Sequence, residues 1–134
     1  MKPLHWALLA VFFAVLAWSG VTPHDRFTWF LEVFPALLGL GAIAFFWRRF
    51  PFTDMLYVLI CAHCVVLMVG GKYTYAEMPL FNWLRDEFHL ARNYYDRLGH
   101  FMQGFVPALI AREVLLRLDV VKRLGWLNFL VVAI

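Results

Sequence analysis

His89, Asn93, Asp96, His100 and Gln103 follow one another at spacings of four, three, four and three residues. Residues so spaced stack along one side of a helix. The pattern predicts a polar stripe on a single helix, extended by Arg85, with Arg92 four residues before Asp96. Three chemistries fit it. Asp96 and His100 could orient one another as carboxylate and imidazole, the pairing used in general acid–base catalysis. They could instead hold a divalent metal, the cofactor such a pair implies, but two ligands are an incomplete site that Glu32 or His63 would have to complete. Or Asp96 could pair only with Arg92 and close the bundle structurally. Around this pair, Arg92, Arg97, Tyr73, Tyr75 and Gln103 are the candidate substrate-binding residues, the arginines suiting an anionic group.

The elements that must position these side chains are unusually apolar. Across 134 residues, 63% are hydrophobic and 16% charged, against about 45–50% and 25% in ordinary soluble domains. Mean hydropathy is +0.71. This is the composition of one polytopic membrane domain, residues 1–134, all-α, whose partner is the lipid bilayer. The net charge of +3 does not point to nucleic acid, because the basic residues sit between apolar runs, as loop charges of membrane proteins do. Cys61 and Cys64 have the C-x-x-C spacing of redox and zinc sites. They lie inside an apolar run, however, where thiols behave as small hydrophobes packing a helix face.

Hydropathy and turn residues predict spanning helices at about 4–21, 27–47 and 55–71. An outer helical segment, 82–99, leads into a fourth span at 100–120, and an incomplete run occupies 124–134. That is about four spanning helices and the start of a fifth. The first run is longer than a signal-peptide core and has Trp6 and Trp18 near its ends, so it reads as a retained helix. The short last run suggests a chain truncated at its C-terminus.

Placing the N-terminus in the cytoplasm puts Lys2, Arg48, Arg49, Arg112, Arg117, Lys122 and Arg123 inside and Arg26, Lys72, Arg85, Arg92 and Arg97 outside. The paired charges Arg48-Arg49 and Lys122-Arg123 favour that orientation. Glu32, His63, His100 and Gln103 then fall in the outer half of the bundle. Ionisable residues at such depth are costly and mark functional sites by default, although Glu32 and His63 could equally hydrogen-bond between helices. Arg112 and Glu113 form a separate inner polar cluster, with Glu113 four residues from Arg117 and Arg112 turned about 100° away. Gly70-Gly71 before Lys72-Tyr73-Thr74-Tyr75 suggests close helix approach and a loop folded over the outer mouth.

Three segments, HCVVLMVGGKYTYAEMP (63–79), RNYYDRLGH (92–100) and QGFVPALIARE (103–113), resemble the signature of the YjdF-like family of bacterial inner-membrane proteins. Weaker similarity extends over the second helix, including Glu32. The resemblance implies a multi-pass inner-membrane location and further helices beyond this chain's last residue, one with Trp-Asp and Gln-Asp motifs. It implies no reaction. It adds emphasis on Gly70, Gly71, Pro79, Tyr95, Gly104 and Pro107 as motif positions, beside the residues already singled out.

Two functions are compatible with these readings. One is a membrane-embedded hydrolase or transferase at the outer leaflet, acting on a lipid-linked or small apolar substrate, with Asp96 and His100 as its pair and His63 and Glu32 assisting. The other is non-enzymatic: a small-solute or proton pathway lined by Glu32, His63 and His100, or a membrane assembly protein. The one-sided polar layer favours the first.

Overall fold

Apolar runs this long become helices because a bilayer offers backbone N–H and C=O groups no partners but each other. A computed structural model describes residues 1–74 and 77–133. Among the described residues there are six helices and no strand: α1 (Pro3–Gly20), α2 (Arg26–Phe46), α3 (Asp54–Tyr73), α4 (Pro79–Glu87), α5 (Tyr95–Arg117) and α6 (Leu124–Ala133). The helices α1, α2 and α3 are long and apolar enough to cross a membrane. The 23 residues of α5 give about 34 Å of helix, with Asp96 and Arg97 in its first turn and Arg112, Glu113 and Arg117 toward its end. α6 is apolar but shorter.

The hub is α3. It packs against α1, α2 and α5, and α6 packs on α5. Nine α3 residues are buried, against two each in α1 and α2, whose outer faces carry exposed Trp6, Phe13, Phe30 and Phe45. The core joins Phe12, Val33, Ala36, Cys64 and Met68. Cys61 and Cys64 are buried free thiols, and Cys61 Sγ lies 3.7 Å from the Leu8 carbonyl. Both serve the packing of α3 against its neighbours.

One end of the bundle is closed by Lys72. Its Nζ donates to the carbonyls of Trp18 (3.1 Å) and Val21 (2.5 Å) at the end of α1 and lies 4.7 Å from the centre of the Trp18 ring. Beside it, a Cβ on Gly71 would stand 3.1 Å from Glu32 Cβ and 3.3 Å from the Trp29 backbone, so α2 and α3 touch at a point where any side chain would push them a few tenths of an ångström apart. Ser19, fully buried, accepts a 2.9 Å bond from Trp29 Nε1, which ties α1 to α2. Asp25 caps α2, accepting from the Thr28 hydroxyl and the Phe27 amide; those bonds hold its carboxyl below the usual carboxylate range.

At the opposite end, Asp54 takes Lys2 Nζ at 2.7 Å and His5 Nε2 at 3.0 Å. His5 Nδ1 accepts the Lys2 amide at 3.2 Å, so Nε2 carries the proton donated to Asp54. With both ring nitrogens engaged and the ring edge-on to Trp47 and Tyr57, His5 pins α1 to α3. Glu113 of α5 also reaches this end, where its carboxylate accepts the Thr53 amide (2.9 Å) and hydroxyl (3.1 Å).

The segment expected as one outer helix over 82–99 is interrupted. α4 ends in a Schellman turn: His89 adopts a left-handed φ of 53° and the Leu90 amide bonds the Arg85 carbonyl at 2.8 Å. α5 then starts at Tyr95, whose amide is capped by Asn93 Oδ1 at 2.9 Å. His89 and Asn93 are therefore not helical, and the stripe expected to run from His89 to Gln103 is a face of α5 only from Asp96 onward. α5 ends with a second such turn at Asp119 (φ 52°), where the Val120 amide reaches the Leu115 carbonyl.

Candidate functional site

One face of α5 carries Asp96, His100 and Gln103 at i, i+4 and i+7. Arg92 donates through one nitrogen to both Asp96 oxygens, at 3.0 and 3.4 Å. His100 and Gln103 are exposed, and His100 has no hydrogen bond or ion pair among the described residues. Asp96 thus turns to Arg92 and makes no hydrogen bond to His100. The guanidiniums of Arg92 and Arg97 both lie against the Tyr94 ring, 5.6 and 5.0 Å from its centre, and Arg97 has no carboxylate partner among the described residues. Pro107 adds to this face: lacking an N–H, it leaves the Gln103 carbonyl without its helical donor.

The other candidates lie elsewhere. Glu32 is half-buried on α2 beside Gly71. His63 sits near the middle of α3, its buried Nδ1 without a hydrogen-bond partner among the described residues. Both α2 and α5 pack on α3, so Glu32 and His100 are carried by separate neighbours of that helix. Among the described residues, no group of three or more His, Cys, Asp and Glu is placed to hold a metal ion. Tyr73 belongs to the Lys72 closure, its ring 5.8 Å from that ammonium. Tyr75 lies outside the described residues.

A family described as "Predicted membrane protein (DUF2238)" matches residues 4–134. The chain belongs to that family. It is 44% identical over 117 residues to the inner membrane protein YjdF of Escherichia coli (strain K12), covering 87% of this chain and 56% of that relative; the chain thus spans little more than half the relative's length. No solved structure matches. Together with three helices long and apolar enough to cross a membrane, these likenesses make the chain a multi-pass inner-membrane protein, in agreement with the resemblance drawn from its motifs.

Several residues of those motifs prove to be fastenings. Tyr95, 3% exposed, donates its hydroxyl to the Val66 carbonyl at 2.7 Å. Asn93 donates to the Met78 carbonyl and Asn82 Oδ1 while capping α5, so one side chain joins the start of α4 to the start of α5. The expected inner cluster separates into two: Glu113 pairs with Arg117 at 3.4 Å, while Arg112 donates to Asn128 Oδ1 of α6 at 3.3 Å. Asn93→Ala removes three hydrogen bonds from a buried position and is expected to cost about 2 kcal/mol. Hydrogen exchange should quicken at residues 93–98 and leave α1 unchanged; unaltered exchange there would remove Asn93 from this role.

Proposed function

We propose that the Asp96–His100 face of α5 binds and turns over a substrate with an anionic group at the outer leaflet, as a lipid-linked substrate has. The observation carrying this reading is the convergence of two guanidiniums on the Tyr94 ring, six residues before an exposed histidine that has no partner among the described residues. Arg97 is free to hold the anion, Arg92 fixes the Asp96 carboxylate, and His100 is left to exchange a proton with the substrate. A hydrolase or transferase needs that division of labour. The orientation with the N-terminus in the cytoplasm belongs to the same proposal. Membrane-impermeant maleimide should label a His100→Cys variant from the periplasmic side of intact cells, and labelling only after lysis would reverse it.

The test is turnover of a panel of lipid-linked phosphates and acyl lipids by the protein purified in detergent. His100→Ala is expected to lower turnover about 100-fold with helicity and melting unchanged. Wild-type protein inert toward the whole panel, or a His100→Ala variant as active as wild type, would end the proposal. A second reading, that α5 presents this face to a protein partner in an assembly, draws support from exposed Gln103 and the carbonyl freed by Pro107, since polar groups at membrane depth are normally covered by protein. It predicts the same variants to lose a co-purifying partner instead of turnover.

A further inference from the structure

α1 and α2 meet near Lys72, through Ser19 and Trp29, and at the Lys2 end the His5 ring of α1 stands against Trp47 at the end of α2. Between them lies a cleft of about 510 Å³, within the size of small-molecule sites, about 300–1,000 Å³. Its walls are mostly hydrocarbon, with Leu8 and Leu9 from α1, Leu40 and Ala44 from α2 and Ile60 from α3, joined toward the Lys2 end by the rings of His5, Trp47 and Tyr57. Its mouth is cationic. Arg48 and Arg49 line it, both are exposed, and neither guanidinium has a hydrogen bond or ion pair among the described residues. Two carboxylates of the same end are already engaged, Asp54 by Lys2 and His5 and Glu113 by Thr53 and Arg117. Among the described residues, no carboxylate pairs with the two arginines at the mouth.

Depth identifies the occupant. Arg48 and Leu40 are eight residues apart along the chain, or about 12 Å at helical rise, most of one leaflet of a hydrocarbon core about 30 Å thick. We propose that this cleft is a binding site for one anionic phospholipid, its phosphate on Arg48 and Arg49 and an acyl chain between α1 and α2. Guanidinium forks match phosphate oxygens in pairs, and basic pockets between membrane helices are suited to acidic headgroups. A soluble anion would leave the apolar walls unused, and a zwitterionic lipid would bring its own ammonium group to a mouth that is already cationic.

The experiment titrates delipidated protein in detergent with dioleoyl phosphatidylglycerol or dioleoyl phosphatidylcholine and counts bound lipid by native mass spectrometry. Wild type is expected to prefer the glycerol lipid. Arg48→Gln/Arg49→Gln should weaken that binding about 30-fold without changing the choline lipid, whereas Lys122→Gln/Arg123→Gln, removing equal charge elsewhere, should not. Ala44→Trp, which fills the cleft and keeps both arginines, should also abolish the preference. Equal binding of the two lipids by wild type, equal loss in the two arginine-containing double variants, or undiminished preference in Ala44→Trp would each overturn the site.

Discussion

Lys72→Met is expected to destabilise the protein by about 3 kcal/mol, because it keeps the aliphatic stem and deletes two charge-assisted hydrogen bonds. Lys72 is 8% exposed, and its ammonium satisfies the carbonyls of Trp18 and Val21 where α1 runs out of helical donors. The positive charge also complements the negative end of the α1 dipole. Methionine would leave those carbonyls facing an apolar group. The adjoining loop would loosen as well, since the His24 amide bonds the Lys72 carbonyl at 2.8 Å. Denaturation followed by tryptophan emission checks this directly, because the Trp18 ring is 4.7 Å from Nζ. Unchanged stability and emission would show that the α1 terminus does not depend on Lys72.

Lys72 also shows where reading the chain alone falls short. In sequence it is a loop charge after a membrane span, assigned to the aqueous side. Gly71 lets the last turn of α3 lie close against α2, and the ammonium meets α1 instead of water. The helical bundle itself was legible, since runs of apolar residues about 20 long leave few alternatives. Helix ends were less so. Asp25 before α2 follows the usual N-cap preference, but α4 stops at a histidine in left-handed conformation, where glycine is the common signal. A continuous four-three-four spacing therefore read as one helix, although Asn93 spends its side chain on capping.

The candidate site was legible in part for the same reason. Spacing within one helix survives folding, so Asp96, His100 and Gln103 do share a face of α5. Which carboxylate meets which base across helices is decided by packing, and no local pattern carries it. Asp96 takes Arg92, a pairing recognisable at i, i+4, while Glu32 and His63 stay on other helices. Lys2 and His5 meet Asp54 across about fifty residues, a contact for which neither segment gives a sign.

Glu113→Ala is expected to cost about 3 kcal/mol, from the loss of a helix cap and of charge-assisted bonds at a largely buried carboxylate. Thr53 stands at the N-cap of α3 but makes no cap bond with its own side chain. Glu113, sixty residues later, supplies it by accepting the Thr53 amide and hydroxyl, and its negative charge suits the positive end of the α3 dipole. Arg117 completes the joint. It pairs with Glu113 at 3.4 Å, donates to the Pro51 carbonyl and lies 4.6 Å from the centre of the Phe50 ring. Alanine at 113 leaves the amide of Thr53 and the charge of Arg117 to water or lipid headgroups. Hydrogen exchange at residues 50–57 should rise in Glu113→Ala and by less in Glu113→Gln, which keeps one acceptor. A Thr53→Ala/Glu113→Ala double-mutant cycle should show coupling of about 1 kcal/mol, the hydroxyl's share alone, because the backbone amide survives in Thr53→Ala. Additive effects together with unaltered exchange would mean that α5 does not hold the start of α3, and that Glu113 owes its place in the QGFVPALIARE motif to something else.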